Sequence, residues 1–142
     1  MCMFEYDDGG RSASGFKGEA RDCVARAVAI ATGKPYADVY RDLNELGRGR
    51  AQRGGRGKTA ARTGVQKDDT RAYLASLGWK WHPTMAVGAG CSIHLRADEL
   101  PRGRIVVQLS RHVAAVVDGV IHDTHDCSRG GTRCVYGYWT EQ

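Results

Sequence analysis

No run of apolar residues in this chain of 142 approaches the roughly 20 needed to cross a bilayer. Nothing in it is therefore expected to span a membrane. The opening segment, MCMFEYDDGG, has acidic residues where a secretory signal needs a basic stretch followed by an apolar one. The whole chain is expected to be the mature protein, and the cytoplasm its compartment. A regular, even-numbered set of cysteines is also lacking. Cys2, Cys23, Cys91, Cys127 and Cys134 are odd in number and irregularly spaced, which suits reduced thiols in an intracellular protein better than a disulfide framework. The last lack is of acid. Between Glu45 and Asp68 lie Arg48, Arg50, Arg53, Arg56, Lys58, Arg62 and Lys67 with no carboxylate among them, and this segment holds most of the formal excess of +5. A local basic run attracts nucleic acid, acidic protein or anionic lipid heads through a salt-screened, sequence-independent field.

The length fits a single domain spanning residues 1–142. Residues 1 to about 18 are polar and glycine-rich and are expected to form a flexible arm. From Cys23 to Ala31 the sequence CVARAVAIA is apolar on nearly every side except Arg26, the pattern of a helix buried in the middle of a domain. Asp22 is its expected N-cap, and Gly33 followed by Pro35 its stop. Val39, Tyr40, Leu43 and Leu46 recur at three and four residues, predicting a second helix from Tyr36 to Leu46 that ends at Gly47. The stretch GRGRAQRGGRGKTAAR, residues 47–62, reads as a mobile loop. Thr63-Gly64-Val65-Gln66 has the form of a capping box and predicts a third helix reaching Leu77.

Beyond Gly78 short runs rich in Val, Ile, Tyr and Trp predict strands at 79–85, 104–109, 112–117, 120–124 and 134–140. Helices first and strands later indicate an α+β domain: N-terminal helices, one bearing a buried cysteine, packed on a C-terminal antiparallel β-sheet.

Asp118-Gly119, between HVAAVV and VIHDTH, suits a two-residue type I′ turn, which needs positive φ at both positions. With Val117 opposite Val120, Ala115 faces His122, and His112, Ala114, Asp123 and His125 share one side of the sheet. Asp123 is then a diagonal neighbour of His112, within reach of its ring. A carboxylate on Nδ1 would orient the imidazole and leave the other nitrogen to take a proton from a nucleophile. Cys23 is the candidate nucleophile, because a thiol at a helix N-terminus gains thiolate character from the helix dipole and a nearby imidazolium. His125, opposite His112, is a rival base.

These residues, in the order helix-borne Cys, strand-borne His, then Asp on the neighbouring strand, resemble the papain-like cysteine peptidase superfamily from about residue 18 to residue 125. Asp22-Cys23 and HVAAVVDGVIHD look like blocks of two branches. One is the bacteriocin-processing peptidases, in which a helix such as TRAYLASLGW also precedes the sheet; the other is the NlpC/P60 cell-wall peptidases. The chain is also similar to small proteins of phages and their hosts, which implies a compact viral or prophage member in a bacterial host cell. The resemblance implies a Cys23-His112-Asp123 triad acting on a peptide or protein, with no cofactor. Members commonly place a Gln about six residues before the Cys as an oxyanion donor; Lys17 stands there instead, and Lys17 or Gln108 is the candidate replacement.

Competing readings stand beside these. The competing reading of Cys23 is a small core residue at the start of a packed helix. Cys91, His94, His122, His125, Cys127 and Cys134 offer soft metal ligands but lack the paired spacing of structural zinc sites, so no metal is expected. Arg48, Arg50, Arg53, Arg56, Lys58 and Arg62 read either as a solvated insertion or as a site for nucleic acid or an acidic partner. The expected function is a cysteine hydrolase cleaving an amide or isopeptide bond. The alternative is a non-catalytic phage or host-interaction protein on the same scaffold, binding through the Arg-rich loop.

Overall fold

The computed structural model describes residues 3–18, 20–86 and 88–141, so Cys2 lies outside the described residues. It is an α+β structure of three helices and one six-stranded mixed sheet. The strands are β1 (Met3–Tyr6), β2 (Trp79–Pro83), β3 (Arg104–Leu109), β4 (His112–Val117), β5 (Val120–Asp123) and β6 (Gly137–Glu141), and the helices are α1 (Cys23–Thr32), α2 (Tyr36–Gln52) and α3 (Lys67–Ser76). Among the described residues no helix is long and apolar enough to cross a membrane.

The Ala-rich sequence of α1 decides where everything else goes. Val24, Ala25, Ala27, Val28, Ala29 and Ala31 are all buried, and the helix lies chiefly against β4. Small side chains on both partners, Ala25 and Ala27 on the helix and Ala115 on the strand, are buried in one cluster. Close approach of the two backbones follows from that lack of side-chain bulk. Gly33 ends the helix in the left-handed conformation, φ 78°, with its N–H on the Ala29 carbonyl, as the sequence predicts.

The sheet order is β1-β5-β4-β3-β6-β2. Both faces of its centre are covered. Val106, Val113, Ala115 and Trp139 join the helical core, while Ile105, Val107, Leu109, Ala114, Val116 and Ile121 join a second core with Leu95, Leu100, Cys127 and Val135. Burial on both sides explains why β3 and β4 read as unbroken apolar runs and not as alternating ones. The β4–β5 hairpin has the expected register, Ala115 opposite His122 and Val117 opposite Val120. Its turn residues Asp118 and Gly119 take φ 49° and 80°.

Four expectations are corrected. Residues 3–6 are not arm but strand: β1 pairs in parallel with β5, Met3 opposite Val120 through Tyr6 opposite Asp123, which makes the sheet mixed and not purely antiparallel. Its exposed side chains carry no alternation that would mark it.

Residues 47–52 are not loop, because α2 runs through Gly47 to Gln52. Gly47 is not a stop but a close approach, since a Cβ there would sit 1.9 Å from the Thr59 carbonyl oxygen. Arg50, one of the expected anion binders, is buried instead. Its Nη1 donates to Asp68 at 2.8 Å and Asp69 at 3.2 Å, and its Nε to the Arg56 carbonyl at 2.8 Å. Six residues of segment 47–62 are thus helix, and Arg50 pins the turn that leaves it.

The third correction concerns the start of α3 at Lys67. Ala60 and Gly64 exchange backbone hydrogen bonds of 2.9 and 3.0 Å, which uses up the supposed capping box. The Thr59 hydroxyl accepts the Gln66 N–H at 3.1 Å in its place.

Finally, Cys91 and Cys134 are not reduced thiols but form a disulfide, with Cα atoms 5.8 Å apart. Leu95 N–H to the Arg133 carbonyl and Val135 N–H to the Ile93 carbonyl, both 2.8 Å, lay the two segments side by side, at a spacing a disulfide can span. The cysteine count thereby loses its value as a pointer to a reducing compartment.

Gly47→Ala is expected to lower unfolding free energy by about 2 kcal/mol or more through forced separation of α2 from Thr59. Urea denaturation of the two proteins measures it, and equal midpoints would show that the contact relaxes freely.

Candidate active site

Cys23 is the first residue of α1, and Val113, the second residue of β4, lines the same pocket. His112 precedes it on the same strand, so packing α1 on β4 delivers both the thiol and the imidazole to one place. The pocket there, about 220 Å³, is lined by Cys23, Val24, Gln108, Arg111, His112 and Val113 with residues of the 63–70 segment. Asp123, at the end of β5 and 3% exposed, holds His112 Nε2 at 2.6 Å. The diagonal placement read from the hairpin is therefore correct. The nitrogen is not the expected one: the carboxylate takes Nε2, and Nδ1 is the ring nitrogen left for the thiol.

The charges of the three groups are coupled. For Cys23, burial pushes the thiol up, but the hydrogen bond and charge of His112, the Val113 N–H and the Arg26 charge outweigh it, and the thiol lies below its ordinary 9.0. For His112, burial favours the neutral ring. Hydrogen bonds to Asp123, Cys127 and Cys23, with the charge of Cys23, reverse that and raise it to about 11. Burial likewise raises the Asp123 carboxyl, and His112, the Thr124 N–H and Arg26 bring it below the usual range. All three shifts act in one direction, toward a charged His112 and Asp123 and a more acidic Cys23.

Arg26 is the residue that sequence reasoning passed over. Its Nη1 pairs with Asp22 one turn earlier and its Nη2 reaches Asp123 Oδ1 at 3.4 Å, so one guanidinium joins the start of α1 to the end of β5. The signal was present: a lone Arg in an otherwise apolar helix needs buried partners. Asp22 occupies the N-cap position without capping. Besides Arg26 it accepts the Tyr36 hydroxyl at 2.6 Å and pairs with Arg11 at 3.3 Å. The N–H groups of the first turn, Cys23 and Val24 included, are thus spared by the side chain best placed to take them.

The two proposed oxyanion donors fare differently. Lys17 is exposed, its carbonyl accepts from Arg11 and Arg62, and it lines a neighbouring pocket with Asp22 and Arg26 instead of the one holding Cys23. Gln108 does line the Cys23 pocket, but its Nε2 donates to the carbonyls of Leu109 at 2.9 Å and His112 at 3.3 Å. Both amide protons are thereby spent on holding the β3–β4 turn.

His125 stands beside His112, ring centroids 5.3 Å apart, but is exposed, whereas His112 is half-buried and held by a carboxylate. Ligand atoms of His112, Asp123 and His125 lie within 4.8 Å of one another, and His112 and Asp123 hydrogen-bond each other within that set. Of the soft ligands weighed from sequence, Cys91 and Cys134 are joined, His94 bonds Glu99 and His122 bonds Asp7, while His125 and Cys127 lie near His112. Of the basic residues, Arg53, Arg56 and Lys58 are exposed, Arg48 pairs with Glu45 at 4.0 Å, and Arg62 donates to the Lys17 carbonyl.

The fold and site together define an α+β protein with a helix-borne thiol that shares a pocket with a carboxylate-held histidine. No family model, curated protein or solved structure matches the chain.

Alkylation of Cys23 by iodoacetamide, followed by peptide mass mapping across pH, is expected to inflect below 9.0. In His112→Ala the inflection moves to higher pH, because the burial that disfavours the thiolate remains while the imidazolium is gone. An unmoved inflection would mean that the ring does not activate the thiol.

Proposed function

We propose that the protein is a cysteine hydrolase of papain-like type that cleaves an amide or isopeptide bond in a peptide or protein. The observation that carries this reading is the thiol at the head of α1 set against an imidazole whose far nitrogen is held by a buried carboxylate at 2.6 Å. The order of Cys, His and Asp along the chain, on helix, strand and neighbouring strand, supports the same class.

In the proposed reaction the Cys23 thiolate attacks the substrate carbonyl carbon, and the carbonyl π pair moves onto oxygen. The helical first-turn N–H groups of Cys23 and Val24 serve as its donors, a role that the positive end of the helix dipole suits. The tetrahedral species collapses, the C–N bond breaks, and His112 gives its proton to the departing amine, leaving a thioester on Cys23. Neutral His112 then takes a proton from water as the water oxygen attacks the thioester. Collapse breaks the C–S bond, releases the carboxylic acid and restores the ion pair. Asp123 keeps the ring oriented and stabilises its charged form throughout. No cofactor enters these steps.

The non-catalytic alternative, anion binding through segment 47–62, draws less support. Arg50 is committed to Asp68 and Asp69, and α2 occupies the first six residues of the segment.

With p-nitrophenyl acetate the protein is expected to release a stoichiometric burst of nitrophenolate and to carry an acetyl group on Cys23 by mass spectrometry. Cys23→Ala should abolish the burst, and Asp123→Asn should slow turnover by roughly a hundredfold or more, as carboxylate loss from a triad does. Acetylation spread over surface lysines, with none on Cys23, would sink the reading.

A further inference from the structure

The pocket beside Cys23 has a neighbour. Lys67 and Gln108 also line a second pocket, about 260 Å³, whose other walls include Arg71, Trp81, Met85 and Tyr136. Lys67 Nζ lies 5.9 Å from the Tyr136 ring centre, and the Arg71 guanidinium 4.6 Å from that of Trp81. Aromatic faces hold the two cations in place. Among the described residues no carboxylate lines either pocket, and no ion pair engages Lys67 or Arg71.

That arrangement opposes local stability. Lys67 and Arg71 are one helical turn apart on α3, where like charges repel. Lys67 is also the first residue of its helix, where the dipole disfavours a cation. Unlike the buried Arg26 and Arg50, which carboxylates hold, Lys67 and Arg71 are exposed and accessible to a ligand. Two accessible cations over aromatic walls, in a pocket that shares Lys67 and Gln108 with the thiol pocket, fit a binding site for an external anion. We propose that the second pocket is a specificity site for a carboxylate side chain, so that the hydrolase prefers a peptide bearing Glu or Asp next to, or one residue removed from, the bond it cleaves. This rests on the cysteine-hydrolase reading and adds the substrate class to it.

The test uses dipeptidyl chloromethyl ketones carrying Glu at the first or the second residue from the reactive carbon, each against its Gln isostere, with iodoacetamide as the neutral reference. Labelling of Cys23 is followed by peptide mass mapping. At low salt the Glu probe should react roughly tenfold faster than its Gln counterpart in at least one position, and the preference should shrink in high salt. In Lys67→Ala/Arg71→Ala, with each rate divided by that variant's own iodoacetamide rate, the preference should vanish. The wild-type comparison stands by itself if that variant fails to fold. Equal Glu and Gln rates in both positions, or a preference that survives the double substitution, would overturn the proposal while selective iodoacetamide labelling of Cys23 leaves the hydrolase reading intact. Loss of that selectivity in the wild-type protein would overturn both.

Discussion

A single guanidinium in the most buried helix sets the relation between the two halves of this molecule. Arg26 pairs with Asp22 at the start of α1 and with Asp123 at the end of β5, all three removed from bulk water. A buried charge is tolerated only when matched, and removing one partner typically costs several kcal/mol. The helix cannot slide along the sheet without breaking that match. Because Cys23 belongs to the same helical turn as Arg26, and His112 leans on the same carboxylate, the network that registers helix against sheet also registers thiol against imidazole.

The parts of the fold that could be read from sequence were those with a local physical cause. Asp118-Gly119 demanded positive φ and so fixed the hairpin register. The continuous apolar character of 23–31 marked a helix covered on all sides, and the structure covers it. The parts that could not be read depend on distant partners. Strand β1 exists because β5 offers it an edge. Gly47 looked like punctuation because its reason, the Thr59 carbonyl, lies in another segment. Cys91 and Cys134 are brought together by backbone pairing that no spacing rule anticipates.

The candidate site divides along the same line. His112 and Asp123 were legible together because one turn relates them. Cys23 was placed by its helix position alone, and the ring nitrogen that the carboxylate takes was misassigned, since strand register places the ring without fixing its rotation. Asp22 was put at the right position with the wrong role, since its carboxylate serves Arg26, Tyr36 and Arg11 and leaves the helix terminus open. Local rules predict a cap; the tertiary network had a stronger claim on the oxygen atoms.

The parallel pairing of β1 with β5 has a temporal side. Asp7 donates its N–H to the Asp123 carbonyl at 2.9 Å, so a segment near the start of the chain braces the strand bearing the carboxylate. A chain made from its N-terminus presents Cys23 long before β4 and β5 exist, and contacts of such high sequence separation form late and slowly. Until they form, the thiol is an ordinary one. The lowered pKa of Cys23 thus belongs to the completed fold, because His112 and Val113, which lower it, lie on a strand made later.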